Sequence, residues 1–288
     1  MQTAIDLTIQ IFVVSTMLAL GLQVPPERIA RGLRDWRTLT RGSLLNLVII
    51  PALGLLAASG LDLTGEVRTG YLLIAFSPGA PYAVKLIAIA RGEVASSVGL
   101  IITLQLAGVV SVPVLAHLFL ASEAGLEYPQ LFAAIVLLQM VPLIVGLIGQ
   151  GRKGIGLPET ARAVEALSNA SFAVLVALIL IHDLPRVLRI LEIPVLMAVV
   201  GLLLASLTTG AFLAGREPST RRSLALISAA RKGGLALVIA TSTFGGDADA
   251  VIMIVAYALI ELVMLSSVAA WWRASGRRAT SRPPLSSG

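Results

Sequence analysis

Ser77-Pro78-Gly79-Ala80-Pro81 interrupts an apolar run that extends from residue 67 to 90, and Ser228-Ala229-Ala230-Arg231-Lys232-Gly233-Gly234 interrupts another from 219 to 243. A proline inside a helix removes an amide donor and crowds the carbonyl one turn earlier. Two prolines and a glycine in the first stretch therefore predict a helix that unwinds near residues 77 to 82. In the second stretch polar and flexible residues replace the apolar pattern, which predicts another break near 228 to 233. Each break exposes carbonyls at the end of one half-helix and amides at the start of the next. Inside a bilayer that is tolerable only where protein or an aqueous cavity supplies partners.

The rest of the chain reads as lipid-embedded. It is 57% hydrophobic and 13% charged, with a mean hydropathy of +0.91, which excludes an ordinary water-soluble domain. A spanning helix needs about 20 apolar residues. Stretches of that kind fall at 4 to 22, 38 to 59, 67 to 90, 93 to 120, 129 to 149, 160 to 181, 184 to 214, 219 to 243 and 247 to 272. The expectation is an all-α membrane protein of nine spans, a single transporter domain over residues 1–275, followed by a disordered cytoplasmic tail, 276–288, rich in Arg, Ser and Pro. The first run has no basic leader and contains Asp6, so it reads as a span and not a cleaved signal. There is no cysteine, hence no disulfide and no thiolate metal site. His117 and His182 stand in no metal-binding spacing, and neither a metal nor a cofactor is expected.

The net charge of +6 reports topology and not nucleic-acid binding. With the N-terminus outside, Arg28, Arg31, Arg34, Arg37, Arg41, Arg91, Arg152, Lys153, Arg162, Arg216, Arg221, Arg222, Arg273, Arg277, Arg278 and Arg282 all fall on the cytoplasmic side. The opposite side holds Arg68, Arg186 and Arg189 among acidic residues, so the positive-inside bias sets N-out and C-in. The expected setting is a bacterial inner membrane. Arg186 and Arg189 form the one discordant loop, and they can pair with Asp183 and Glu192. Ile29, Leu33 and Trp36, backed by arginines, predict a short helix in the headgroup plane. Trp271 and Trp272 read as an interfacial belt.

Spans three and eight are five apart, so they cross in opposite directions, as do one and six, two and seven, and four and nine. This is inverted-topology repetition, and paired broken helices at matching positions point to a transporter's binding site. Three cations, Lys85, Arg231 and Lys232, lie inside these runs. A charge at membrane depth costs about 2.5 to 3.5 kcal/mol on insertion scales, so it usually faces a pathway. Lys85 sits near the end of its run and could instead snorkel. Arg231 and Lys232 lie too deep for that.

Taken together, these segments resemble the bile acid:sodium symporter family over nearly the whole chain, in a nine-span form. The strongest match is Ser77-Pro78-Gly79 followed by Ala90-Arg91-Gly92-Glu93-Val94-Ala95, similar to that family's Pro-Gly crossover and Ala-Arg-Gly turn. Gly234-Leu235-Ala236 looks like the end of the second crossover. The resemblance implies two discontinuous helices that cross, with Pro78, Gly79, Pro81, Gly233 and Gly234 as crossover backbone. It also places Asn46 where sodium-coupled relatives carry a Gln. The departures lie at the sodium ligands. A Ser-Asn pair of the relatives becomes Ala83-Val84, their Glu becomes Ile227, and their Gln-Asn pair becomes Arg231-Lys232. Ser97 keeps a hydroxyl, but Ile101 replaces a threonine. Hard cations want oxygen ligands, so the resemblance, with these departures, implies transport without sodium and with side-chain cations in its place.

The function expected is therefore a secondary transporter of small organic anions, carboxylates or sulfonates and among them bile-acid-like compounds, working by alternating access. Its expected substrate-binding residues are Lys85, Arg231, Lys232, Asn46, Ser97 and Ser228. Arg231 suits bidentate capture of an anion, or one of the two neighbours faces the cavity while the other caps carbonyls. Protons are a candidate coupling ion, because a buried lysine can release its proton. Glu261 is a candidate counterion. No ATP-binding loop or catalytic constellation is present, so neither an ATP-driven pump nor an enzyme is expected. The alternatives are a cation/proton antiporter, which would want a carboxylate at a break, and a non-transporting sensor or subunit.

Overall fold

Long apolar runs in lipid satisfy their backbone groups only as helices or closed barrels, and every regular element described here is helical. The computed structural model describes residues 2–23, 27, 35–124, 133, 136–151, 157–243 and 248–280. Most of the expected headgroup-plane helix, with Ile29 and Leu33, lies outside these residues, as do Arg152, Lys153 and residues 281–288 of the tail.

In chain order the helices are α1 (Gln2–Gln23), α2 (Trp36–Leu44), α3 (Ile50–Gly60), α4 (Gly65–Phe76), α5 (Ala83–Ile89), α6 (Val94–Ala124), α7 (Val141–Gly151), α8 (Leu157–Ile190), α9 (Ile193–Leu213), α10 (Pro218–Ala229), α11 (Gly233–Thr243) and α12 (Ala248–Thr280). Among the described residues seven helices are long and apolar enough to span a membrane: Thr3–Gln23, Trp36–Gly60, Val94–Leu120, Pro158–Ile190, Ile193–Leu213, Pro218–Thr241 and Asp249–Ser275. Val136–Gln150 is a shorter apolar helix, and α4 and α5 are each too short to span alone. Large apolar side chains such as Leu56, Ile181, Ile193 and Phe212 lie exposed, an arrangement suited to lipid and not to water.

Two π-helical turns, Leu45–Ile49 and Val136–Met140, each end two residues before a proline, Pro51 and Pro142. A proline cannot donate to the preceding turn, and a π turn is one way to absorb the broken ladder. The helix therefore continues through Pro51 and Pro142. The boundary between the sixth and seventh runs differs from the expected one. Instead of ending near 181, α8 kinks at Asp183 (φ −123°, ψ 17°) and continues to Ile190. The kink accommodates Pro185, while Val187 and Ile190 keep burying one face. Pro194 then begins α9 and does not interrupt it. Arg186 Nη1 reaches Asp183 Oδ1 at 3.6 Å, so this discordant arginine is partly neutralised locally.

Helix α1 packs against α7 and α8, while α12 packs on α4, and α9 on α10. Glycines set the closest approach. A Cβ on Gly21 would stand 2.4 Å from the Leu143 carbonyl oxygen, and one on Gly146 would stand 2.5 Å from that of Leu18. Both clashes are with backbone, so neither can be relieved by a rotamer. Gly146→Ala is expected to force α1 and α7 apart and to destabilise the protein by about 1 to 3 kcal/mol. A lowered melting temperature in detergent would show it, and an unchanged value would refute the close packing.

Candidate substrate site at the paired helix breaks

The two interruptions meet each other directly. After Phe76 the chain runs extended through Ser77 and turns left-handed at Gly79 (φ +61°). The left-handed φ favours glycine, and a Cβ there would lie 3.0 Å from the Leu104 side chain, which would have to give way. Helix α10 stops at Ala229, with Ala230 extended, and α11 restarts at Gly233. The Ala80 amide donates to the Ala230 carbonyl (3.1 Å), and the Lys232 amide donates to the Ser77 carbonyl (3.1 Å). Each unwound segment thus supplies partners that the other lacks.

Arg231, 2% exposed, fills the oxygen-rich side of this junction. Its Nη2 donates to Asn46 Oδ1 (2.6 Å) and to the Ser228 carbonyl, and its Nη1 donates to the Ala75 carbonyl (3.4 Å). These carbonyls belong to the C-terminal ends of α4 and α10, the negative ends of the half-helix dipoles. Asn46 sits in the first π turn and donates its Nδ2 to the Gly42 carbonyl (2.9 Å), which aims its oxygen at the guanidinium. Arg231's fork is consequently spent on neutral protein oxygens, and the expected bidentate face for a substrate is not free.

Lys232 is engaged differently, although both neighbours line the same cavity. It is 4% exposed and lines a cavity of about 220 Å³ together with Tyr82, Glu261, Phe12, Phe172, Ser168, Asn169 and apolar residues of α1, α11 and α12. Its ammonium makes no hydrogen bond or ion pair among the described residues. The Phe12 and Phe172 rings pack against each other, tilted by 37° with centroids 5.2 Å apart. The cavity therefore joins the Lys232 ammonium, the hydrogen-bonded Arg231 and the Glu261 carboxyl to an aromatic and aliphatic wall.

Neither broken segment contains a carboxylate, but one reaches the breaks from a third helix. Glu261, on α12 and buried, accepts the Arg231 backbone N–H at Oε1 (2.7 Å) and also the Tyr82 hydroxyl. It contacts Arg231 through the backbone amide and forms no ion pair among the described residues.

The remaining expected residues are placed differently. Lys85 is not gathered with Arg231 and Lys232. Its side chain is 61% exposed and pairs with Glu165 of α8, whose other oxygen accepts from Gln23 Nε2 (2.8 Å). These three line a second cavity of about 210 Å³, which shares Thr16, Pro81, Tyr82, Ser168 and Asn169 with the first. Glu165 was missed because its partner is far away in sequence, although a carboxylate within an apolar run was a visible signal. Ser97 donates to the carbonyl of Glu93, the residue just before its own helix, and lines neither cavity. Ser228 contributes its carbonyl, while its buried hydroxyl has no partner among the described residues. Pro78 packs near Gly108, and Gln105 Nε2 holds the Gly79 carbonyl at 3.2 Å. Gly233 and Gly234 line the first cavity.

Broken helices joined at buried ionic groups define a membrane transporter architecture. The chain belongs to the SBF-like CPA transporter family, whose model matches residues 2–274. It is similar to an uncharacterized sodium-dependent transporter of Bacillus subtilis (strain 168), YocS, with 28% identity over 178 residues, 62% of this chain and 54% of that protein. It is also similar to the probable chloroplastic sodium/metabolite cotransporter BASS3 of Arabidopsis thaliana (24% over 132 residues, 46% and 31% of the two chains). The third is the probable chloroplastic sodium/metabolite cotransporter BASS2 of Oryza sativa subsp. japonica (28% over 132 residues, 46% and 32%). The chain spans about half or less of the length of these relatives.

Proposed function

We propose that this protein is a secondary transporter of small organic anions that works without sodium. The observation that carries the reading is the division of labour between two neighbours. Arg231 places its guanidinium on Asn46 and on the carbonyls that end α4 and α10, while Lys232 faces an apolar cavity unpaired. A fixed cation that occupies an oxygen cage removes the need for a metal cation there, and would repel one. The second cation then neutralises a carboxylate or sulfonate whose organic body rests on Phe12 and Phe172.

In this proposal the seven membrane-capable helices, the interrupted α4–α5 pair and the α7 segment make nine crossings in inverted repeats, with α4–α5 and α10–α11 crossing at the midplane. The N-terminus is outside and the C-terminus cytoplasmic, in a bacterial inner membrane. Protons are the proposed coupling ion. Lys85 acts at the neighbouring cavity and not on the substrate directly. Bile-acid-like compounds remain within the substrate class, because the cavity wall selects for an apolar body and not for one skeleton.

The test is uptake into liposomes of an anion first found by its stabilisation of the purified protein. Replacing sodium by choline at constant ionic strength should leave uptake nearly unchanged, whereas a loss of about tenfold, or about 1.4 kcal/mol, would refute sodium independence. An anion that stabilises the protein but never crosses would identify a sensor. Glu261 at the breaks favours one second reading, cation/proton antiport. Alkali-cation flux driven by a pH gradient, in the absence of any organic anion, would establish it.

A further inference from the structure

Glu261 is a buried ionisable group at the breaks that the anion-transport scheme above does not use. It lines the same cavity as Lys232, it is 1% exposed, and no Lys or Arg side chain pairs with it among the described residues. Both of its donors, the Arg231 amide and the Tyr82 hydroxyl, converge on Oε1. Oε2 is left as the atom that can take a proton. A buried carboxyl without a cationic side-chain partner is expensive to keep ionised and becomes neutral by protonation.

The surroundings bear this out element by element. Helices α9 and α11 carry no ionisable side chain. Helix α8 offers the cavity only Ser168, Asn169 and Phe172, because its Glu165 is engaged with Lys85 of α5. From α1 come Phe12, Val13, Thr16 and Met17. The arginines of α10 lie at its far end, where Arg222 donates to the Ala90 carbonyl. Helix α4 brings Tyr71, whose ring meets Tyr257 of α12 at 6.4 Å. The charged or titratable groups that face Glu261 are thus Arg231, Lys232, Tyr82 and Tyr257. Arg231 bonds its guanidinium to the carbonyls, and its charge still acts on Glu261.

We infer that Glu261 is the coupling-proton site, and that one proton bound there travels with one organic anion held by Lys232. This deepens the transport reading and rests on it. An ionised Glu261 repels an anion in so small a cavity, and a protonated one does not. Proton and anion therefore favour each other's binding, and by linkage the effect is reciprocal. In the empty cavity an ionised Glu261 offsets one of the two positive charges that line the cavity with it, the Arg231 guanidinium and the Lys232 ammonium. In the loaded cavity the anion takes that ammonium and the proton takes the carboxylate. The net charge of the site is then the same with and without cargo, which is what a carrier needs in order to reorient both ways.

The experiment has two arms on the purified full chain. Without any anion, infrared difference spectra should show a protonated-carboxyl band that grows as the pH is lowered and is absent in Glu261→Gln. In Tyr82→Phe the band should remain but shift in frequency, because the hydroxyl donor is gone. In the second arm benzoate, one carboxylate on an aromatic body, is titrated calorimetrically. Wild-type affinity should fall by about tenfold as pH rises through the band's titration, and Glu261→Gln should hold the high affinity at both ends. A band that never forms, or a wild-type pH dependence that survives in Glu261→Gln, overturns the proposal and assigns the titration to Lys232. Benzoate that binds neither protein overturns the aromatic-anion reading instead, and the infrared arm still decides whether Glu261 takes up a proton.

Discussion

Arg231→Ala should turn a sodium-indifferent protein into one that sodium stabilises. The substitution removes the donors that serve Asn46 Oδ1 and the carbonyls of Ala75 and Ser228, all inside the junction of the two breaks. Each buried acceptor left unsatisfied costs about 1 to 3 kcal/mol. The mutant should therefore melt well below wild type in choline. The three oxygens left behind are amide carbonyls on converging elements, the ligand type that hard cations choose. Sodium at about 100 times its dissociation constant would restore about 2.7 kcal/mol. Arg231→Lys keeps a cation and should show no sodium response. It also guards the test against a mutant too unstable to measure. A wild type that melts higher in sodium than in choline would show that the seat already accepts the ion, and the exchange of guanidinium for sodium would be wrong.

The elements that sequence could reveal are those fixed by local chemistry. Pro78, Gly79 and Pro81 forbid a continuous helix whatever surrounds them, and the chain leaves α4 at Phe76 as expected. The second break was legible because two charges and two glycines occupy the middle of an apolar run, where neither type belongs unless something meets it. Helix α8 shows the opposite case. Asp183 and Pro185 read as the end of a span, yet a single kinked residue absorbs the proline and the apolar face resumes at Val187 and Ile190. Helical periodicity outweighed two breakers there.

The site itself was legible only in part, because its contacts are long-range. Nothing in the sequence says that Lys85 meets Glu165 and leaves the cation cluster, or that Glu261, thirty residues after Arg231, folds back against its amide. Asn46 stood out by resemblance alone, and its orientation depends on the π turn that Pro51 induces. Arg231 and Lys232 were visible as a pair, but that Arg231 alone caps the carbonyls follows from the backbone at Ala230, extended so that successive side chains diverge.

That divergence makes Lys232 the residue whose loss should cost the most affinity. Lys232→Gln preserves the backbone amide that donates to Ser77 and keeps most of the side chain's volume, but it removes the charge. A hydrogen bond to a charged group is worth about 1.5 to 3 kcal/mol, so anion affinity should fall by about 10- to 150-fold. Stability without ligand should move the other way or stay level, because an unpaired cation no longer has to be buried. The opposite signs separate a ligand from a structural residue, since a side chain that held the fold together would lower both quantities. Calorimetric titration of the anion and melting without it provide the pair of readings. If Lys232→Gln binds the anion as tightly as wild type, the cavity's cation is not the anion's partner. If it binds weakly and also melts early, Lys232 supports the fold and the anion must be sought against another surface.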